Sequence, residues 1–144
     1  MTDLINQLLL ENDFRQQSID KMLSMTEWIT ADELQRRQNL DFISSKLLRE
    51  TWIRHKQIFA VTNSDRQLFA NFQFDEMGKP LQVIANTLKF LQLDDGWATA
   101  AWFLFPNAWV PHIAGTGCVA PVEVLAFPEK VISAAQCSRN THFC

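Results

Sequence analysis

Three histidines and three cysteines are the residues of this chain most often used for catalysis or metal binding. His112 and Cys118 have the types of a base and a nucleophile, as in any chain that holds both, and nothing near them adds an orienting group. Cys118, Cys137, His142 and Cys144 could supply four soft ligands, but their spacing matches no zinc pattern. His55 lies in a basic stretch without a neighbouring acid to orient it. The paired acids Asp75–Glu76 and Asp94–Asp95 read as a turn and as charges at a helix N-terminus, where they suit the dipole. Neither GxxxxGK[ST] nor GxGxxG occurs, and four glycines leave little to cradle a phosphate. The expectation is a protein that is not an enzyme and uses no cofactor or metal.

Charge distribution points to a different chemistry. Residues 1–35 hold two basic groups against seven acidic ones, whereas residues 36–66 hold seven basic groups against three acidic ones. A basic island in a chain of net charge −3 suits a localised anionic partner. Within it, Ser44, Ser45, Lys46 and Arg49 form the polar side of an amphipathic stretch. Hydroxyls beside Lys and Arg can read bases and phosphates in a DNA groove. Arg54, His55 and Lys56 would then sit near phosphates, and Arg66 could reach the backbone from a hairpin tip. The competing reading is a basic helix face that is merely solvated.

The elements that would position these residues are mostly helical. Leu4, Ile5, Leu8 and Leu9, then Phe14, Ile19, Met22 and Leu23, fall at helical spacing and predict two short helices or one bent one. Thr30 and Glu33 form a capping box for a short helix, "NLD" at residues 39–41 reads as a turn, and a second helix follows. That helix is predicted to bury Ile43, Leu47, Leu48, Thr51 and Trp52 and to show Ser44, Ser45, Lys46, Arg49 and His55. A short strand at 58–61, a turn "TNSDR" and an alternating run at 67–74 predict a β-hairpin. Helix-turn-helix plus hairpin is the layout of a winged helix or a MerR-like DNA-binding unit.

"DEMGKP", residues 75–80, is the best internal boundary. It divides the chain into residues 1–75, with the N-terminal helices, helix-turn-helix and hairpin, and residues 76–144, a helical partner-binding or dimerisation domain. Past it, Leu81, Ile84, Leu88 and Leu91 mark a strong helix. "PVEVLA" and "PEKVISAAQC" read as short helices led by proline. The fold class is mainly α, with a small β-hairpin wing and a helical C-terminal bundle.

An apolar share of 47% and a charged share of 20% are those of a globular chain. The N-terminus has no basic n-region, and the aromatic run "GWATAAWFLFPNAWVP" at residues 96–111 is cut by Pro106 and too short to cross a bilayer. It reads as a core helix ending in a contact loop at Trp109 and Val110. Three cysteines in the last quarter make a poor disulfide framework and suit a reducing cytoplasm.

Two stretches carry a resemblance. "KQIFAVTNSDRQLFANFQFDEMGKPLQVIANTL" resembles the wing and linker of small bacterial proteins that begin with a helix-turn-helix. "DDGWATAAWFLFPNAWV", with "APVEVLA" and "KVISAA", resembles the toxin-binding domain of the Xre/MbcA/ParS antitoxin-like family. Trp97, Ala101, Trp102, Phe103, Pro106 and Asn107 match its first block, and Pro121, Glu123 and Leu125 match its second. The resemblance covers residues 31–135 and implies an all-helical, oligomeric C-terminal domain that blocks a RES-type, NAD-consuming toxin, with an N-terminal module that binds operator DNA. It implies partner contacts at Trp102, Phe103, Pro106, Asn107, Pro121 and Glu123, to which the aromatic loop adds Trp109. The chain departs from the family at "AWVPHIAGTGCVAP", where a tight glycine turn is usual, and at its last residues, "CSRNTHFC". The expectation is a cytoplasmic, homodimeric, DNA-binding antitoxin-like regulator. Its alternatives are a protein-interaction module without DNA binding and a small-molecule-binding protein with an aromatic pocket.

Overall fold

The computed structural model describes residues 2–107, 110 and 117–139, with side chains from Asp13 onward. The N-terminal periodicity yields one continuous helix, α1 (Thr2–Met25), rather than two. Ile19 and Met22 are its buried residues after Asp13, one turn apart as a single inward stripe requires. The next segment, β1 (Trp28–Thr30), is a strand absent from the sequence reading.

Thr30 closes that strand and caps α2 (Ala31–Gln38), its hydroxyl accepting from Glu33 N at 3.3 Å. Asn39 then turns left-handed at φ 55°, a conformation asparagine tolerates, and ends the helix. Two residues on, Asp41 caps α3 (Phe42–Arg54) by accepting from Ser44 N at 2.6 Å. The bonds from Ser44, backbone first and hydroxyl second, hold the Asp41 carboxyl below the ordinary carboxylate range.

Strands β2 (Val61–Asn63) and β3 (Arg66–Ala70) form a hairpin as expected, but shifted from the predicted segments: only Val61 of residues 58–61 is in a strand, the second strand ends at Ala70, and the turn is Ser64–Asp65. Both turn residues have positive φ, 50° and 62°, the geometry that matches the twist of a tight hairpin. The sheet is nevertheless three-stranded, with antiparallel order β1-β3-β2 and Ile29 opposite Phe69. Past β3, the chain makes a 3-10 turn (Asn71–Gln73) that ends on the buried Gln73, whose side chain pairs with the backbone of Phe59. Its Oε1 accepts from Phe59 N at 2.8 Å, and its Nε2 donates to Phe59 O at 3.0 Å. "DEMGK" folds back on Asp75, whose Oδ1 accepts from the amides of Met77 and Lys79.

The rest is helical: α4 (Gln82–Leu91), α5 (Gly96–Leu104), a 3-10 turn (Pro121–Val124) and α6 (Pro128–Arg139). Asp95 caps α5 through Trp97 N at 3.1 Å, and Pro121 and Pro128 open their helices, as read from the sequence. Helix α4 packs most extensively on α6, and α1 lies on α5. The molecule is therefore mainly helical with one small antiparallel sheet.

Two apolar clusters hold these pieces. Ile29, Leu34, Trp52, Ile58, Phe69 and Phe74 pack where the sheet meets α2 and α3. The larger cluster joins Ile19, Met22, Phe59, Val61 and Ala70 to Ile84, Leu88, Phe103 and Val131, so one core draws on both sides of Asp75–Glu76. Val110 is fully buried in it, which corrects the reading of that residue as part of an exposed contact loop. Trp109 lies outside the described residues. Cys118 is an exposed free thiol, whereas Cys137 is disulfide-bonded, contrary to a chain without disulfides. His112, His142 and Cys144 lie outside the described residues. Among the described residues no helix is long and apolar enough to cross a membrane.

Candidate functional site

Helix α3 carries apolar residues on several sides, and tertiary packing buries a face rotated from the one its sequence suggests. Ser45 is 0% exposed and Arg49 8%. Ser45 Oγ donates to Gln38 Oε1 at 2.6 Å and accepts from Arg49 Nη1 at 3.2 Å. The chain Arg49–Ser45–Gln38 ties α3 to the end of α2, and Gln38 Nε2 reaches on to Gly78 O at 3.4 Å. A buried polar group is tolerated when its bonds are made inside the fold. Ser45 and Arg49 are thus structural groups turned away from any DNA groove, which corrects their assignment to base contact.

The same rotation brings apolar groups outward. Phe42, Ile43 and Leu47 are 59%, 68% and 59% exposed, although Ile43 and Leu47 were expected in the core. Ser44 and Lys46 are exposed among them. Leu48 and Trp52 do face inward, as expected.

The other residues assigned to DNA fall into two places. Arg66 lines a recess with Thr30, Ala31, Asp32 and Gln67. Arg54, His55 and Lys56 are exposed at the C-terminal end of α3 and line an open cleft of about 490 Å³. Helix α4 supplies its other wall with Asn86, Lys89 and Gln92. No acid lines this cleft. Sequence reading missed Lys89, Asn86 and Gln92 because they follow α3 by some thirty residues and look like the solvated side of an ordinary helix. Their only local signal was the Lys89 charge in the last turn of α4, which also complements the dipole there.

Two of the residues assigned to a partner are structural as well. Phe103 is fully buried, stacked on Phe59 with centroids 5.7 Å apart, and Pro121 is likewise enclosed. These two cannot touch a partner without unfolding, which corrects their placement. Trp102 is half-buried, its indole N–H donating to Ser138 Oγ at 2.8 Å. Glu123 Oε2 accepts from Ala120 N at 3.0 Å and so closes the 3-10 turn, while the residue itself stays exposed. Pro106 is exposed, and Asn107 begins a backbone link to Val119 O at 3.4 Å. Of the set, Trp102, Pro106, Asn107 and Glu123 retain accessible surface.

No family profile, curated protein or solved structure matches the chain.

Proposed function

We infer that this chain is a cytoplasmic DNA-binding regulator of the antitoxin type. The observation that carries the reading is the succession α1-β1-α2-α3-β2-β3 with strand order β1-β3-β2. In a winged helix-turn-helix, a short first helix, a turn and a second helix are braced by such a sheet, and the second helix enters the major groove N-terminus first. Exposed Lys46 and Ser44 would meet base edges there, with Phe42 and Ile43 against thymine methyl groups. Arg54, Lys56 and Arg66 would neutralise phosphates, with His55 beside them. The resemblance of residues 94–135 supports a C-terminal region that binds a RES-type toxin or a second copy of the chain. Trp102, Pro106, Asn107 and Glu123 are its accessible candidates.

Titration of duplex DNA at increasing salt tests this reading. Three phosphate contacts give a slope of log K against log salt of about −2.7. The double variant Arg54→Gln/Lys56→Asn reduces that slope by about 1.8 if both residues contact phosphate. Absence of salt-dependent binding by the folded protein refutes the reading.

One observation favours a second reading, a protein-interaction module: the apolar Phe42–Ile43–Leu47 surface. Contiguous exposed apolar groups mark protein contacts more often than DNA contacts. Light scattering separates the two. If Ile43→Lys/Leu47→Lys abolishes self-association while salt-dependent DNA binding is absent from the parent, the second reading holds.

A further inference from the structure

Beside the cationic cleft lies a second, smaller space. It is a recess of about 190 Å³ at the junction of α3, the segment leading into β2, α4 and α5. Ile53, Ile58, Phe59, Leu88 and Leu93 supply its apolar walls, and Gly96 borders it at the start of α5. An apolar cavity of about 150 Å³ accepts one benzene ring, so this one takes a single ring or a short branched chain.

Lys56 lines both the recess and the cleft. The two spaces therefore lie on either side of one residue. Lys56 holds φ at 56°, a left-handed conformation that lysine rarely adopts. The charges orient the occupant. Asp94 is the acid on the recess, whereas the cleft offers Arg54, His55, Lys56 and Lys89 without an acid. A negative group is repelled at the Asp94 side and attracted toward Lys89. Asn86 and Gln92 add amide donors for its oxygens.

We propose that this pair of spaces is a binding site for a small amphipathic anion, an aryl or branched-alkyl carboxylate or phosphate ester. Its apolar body enters the recess and its anionic head lies in the cleft against Lys56 and Lys89. The site does not depend on DNA binding, and its ligands are measured in the absence of DNA.

Calorimetric titration of the full chain with phenyl phosphate, benzoate and inorganic phosphate tests it. Both aryl anions bind saturably, at least about tenfold more tightly than inorganic phosphate, since ring burial adds to the charge interaction. The tighter of the two identifies the preferred head group. Lys56→Asn/Lys89→Gln removes two charges while keeping a residue that tolerates the left-handed backbone. Leu93→Trp fills the mouth of the recess from an exposed position. Each variant weakens aryl-anion binding by about tenfold or more with an unchanged melting temperature. Lys89→Gln alone, on an exposed helix surface, serves if either variant melts early. The proposal is overturned if inorganic phosphate binds as tightly as phenyl phosphate. It is equally overturned if the folded variants bind like the parent, or if neither aryl anion binds saturably.

Discussion

Replacing Gly96 by alanine should destabilise the protein, although helix propensity alone predicts the reverse. Gly96 is the first residue of α5, and alanine there is worth up to about 1 kcal/mol over glycine in a helix interior. A Cβ at this position would lie 2.0 Å from Ala60 O and 3.1 Å from Ala60 C. Carbon and carbonyl oxygen in contact stay about 3.3 Å apart, so α5 and the strand-leading segment must separate by more than an ångström. The neighbours cannot follow cheaply. Trp97 Nε1 donates to Thr62 O at 3.1 Å, its ring lies 5.5 Å from that of Trp28, and Asp95 pairs with Arg15 at 3.3 Å. Forcing atoms into such a contact costs about 1–3 kcal/mol or more, and the clash is with backbone rather than a movable side chain. We expect a net loss of about 3 kcal/mol, or roughly 10 °C in melting temperature for a chain of this size. Urea and thermal denaturation followed by tryptophan fluorescence measure it. Gly117→Ala is the control. Gly117 has φ 75° with nothing within 4 Å of the added carbon, so the loss there is conformational, about 1 kcal/mol. A Gly96→Ala protein as stable as the parent refutes the close approach of α5 to Ala60.

Two further outcomes follow from polar groups. Gln73→Leu preserves volume but strips partners from the buried amide and carbonyl of Phe59, and should cost about 3 kcal/mol in urea denaturation. A loss within error of zero would mean that those groups find other partners. Asp41 titrates below the ordinary carboxylate range when folded, so its ionised form stabilises the α2–α3 connection above that range. The contribution is lost as pH falls through the depressed folded value. Asp41→Asn keeps a capping oxygen without titrating, and should narrow its stability deficit against the parent between neutral and strongly acid pH. A deficit independent of pH sinks the role assigned to the carboxylate.

The local signals in the chain were readable because each is complete within a few residues. Thr30 with Glu33, Asp95 before α5, and the prolines at 121 and 128 satisfy or spare helix-end groups from their immediate surroundings. The hairpin was readable too, since the polar turn segment 62–66 separates the apolar residues 58–61 from the alternating run that follows, although its strands pair closer to the turn than those runs suggested. Strand β1 was not. It is three residues long, its pattern is too brief for a period, and its partner β3 lies some forty residues away. The inward face of α3 was misread because apolar residues surround that helix. Polar Ser45 could be buried only because Gln38, on another helix, was there to accept its proton.

The candidate sites divide in the same way. Composition and order along the chain determined a basic island between acidic flanks, two short helices followed by a hairpin, and helices beyond it. These depend on charge count, capping and period, all of which are local. Only the tertiary structure decided which basic residues reach solvent, where Lys89 joins Arg54 and Lys56, and that Lys56 borders an apolar recess as well as a charged cleft. The physical reason is that burial and the meeting of charges depend on which helix faces which. Packing settles that across the whole chain, between residues whose separation in sequence carries no trace of their contact.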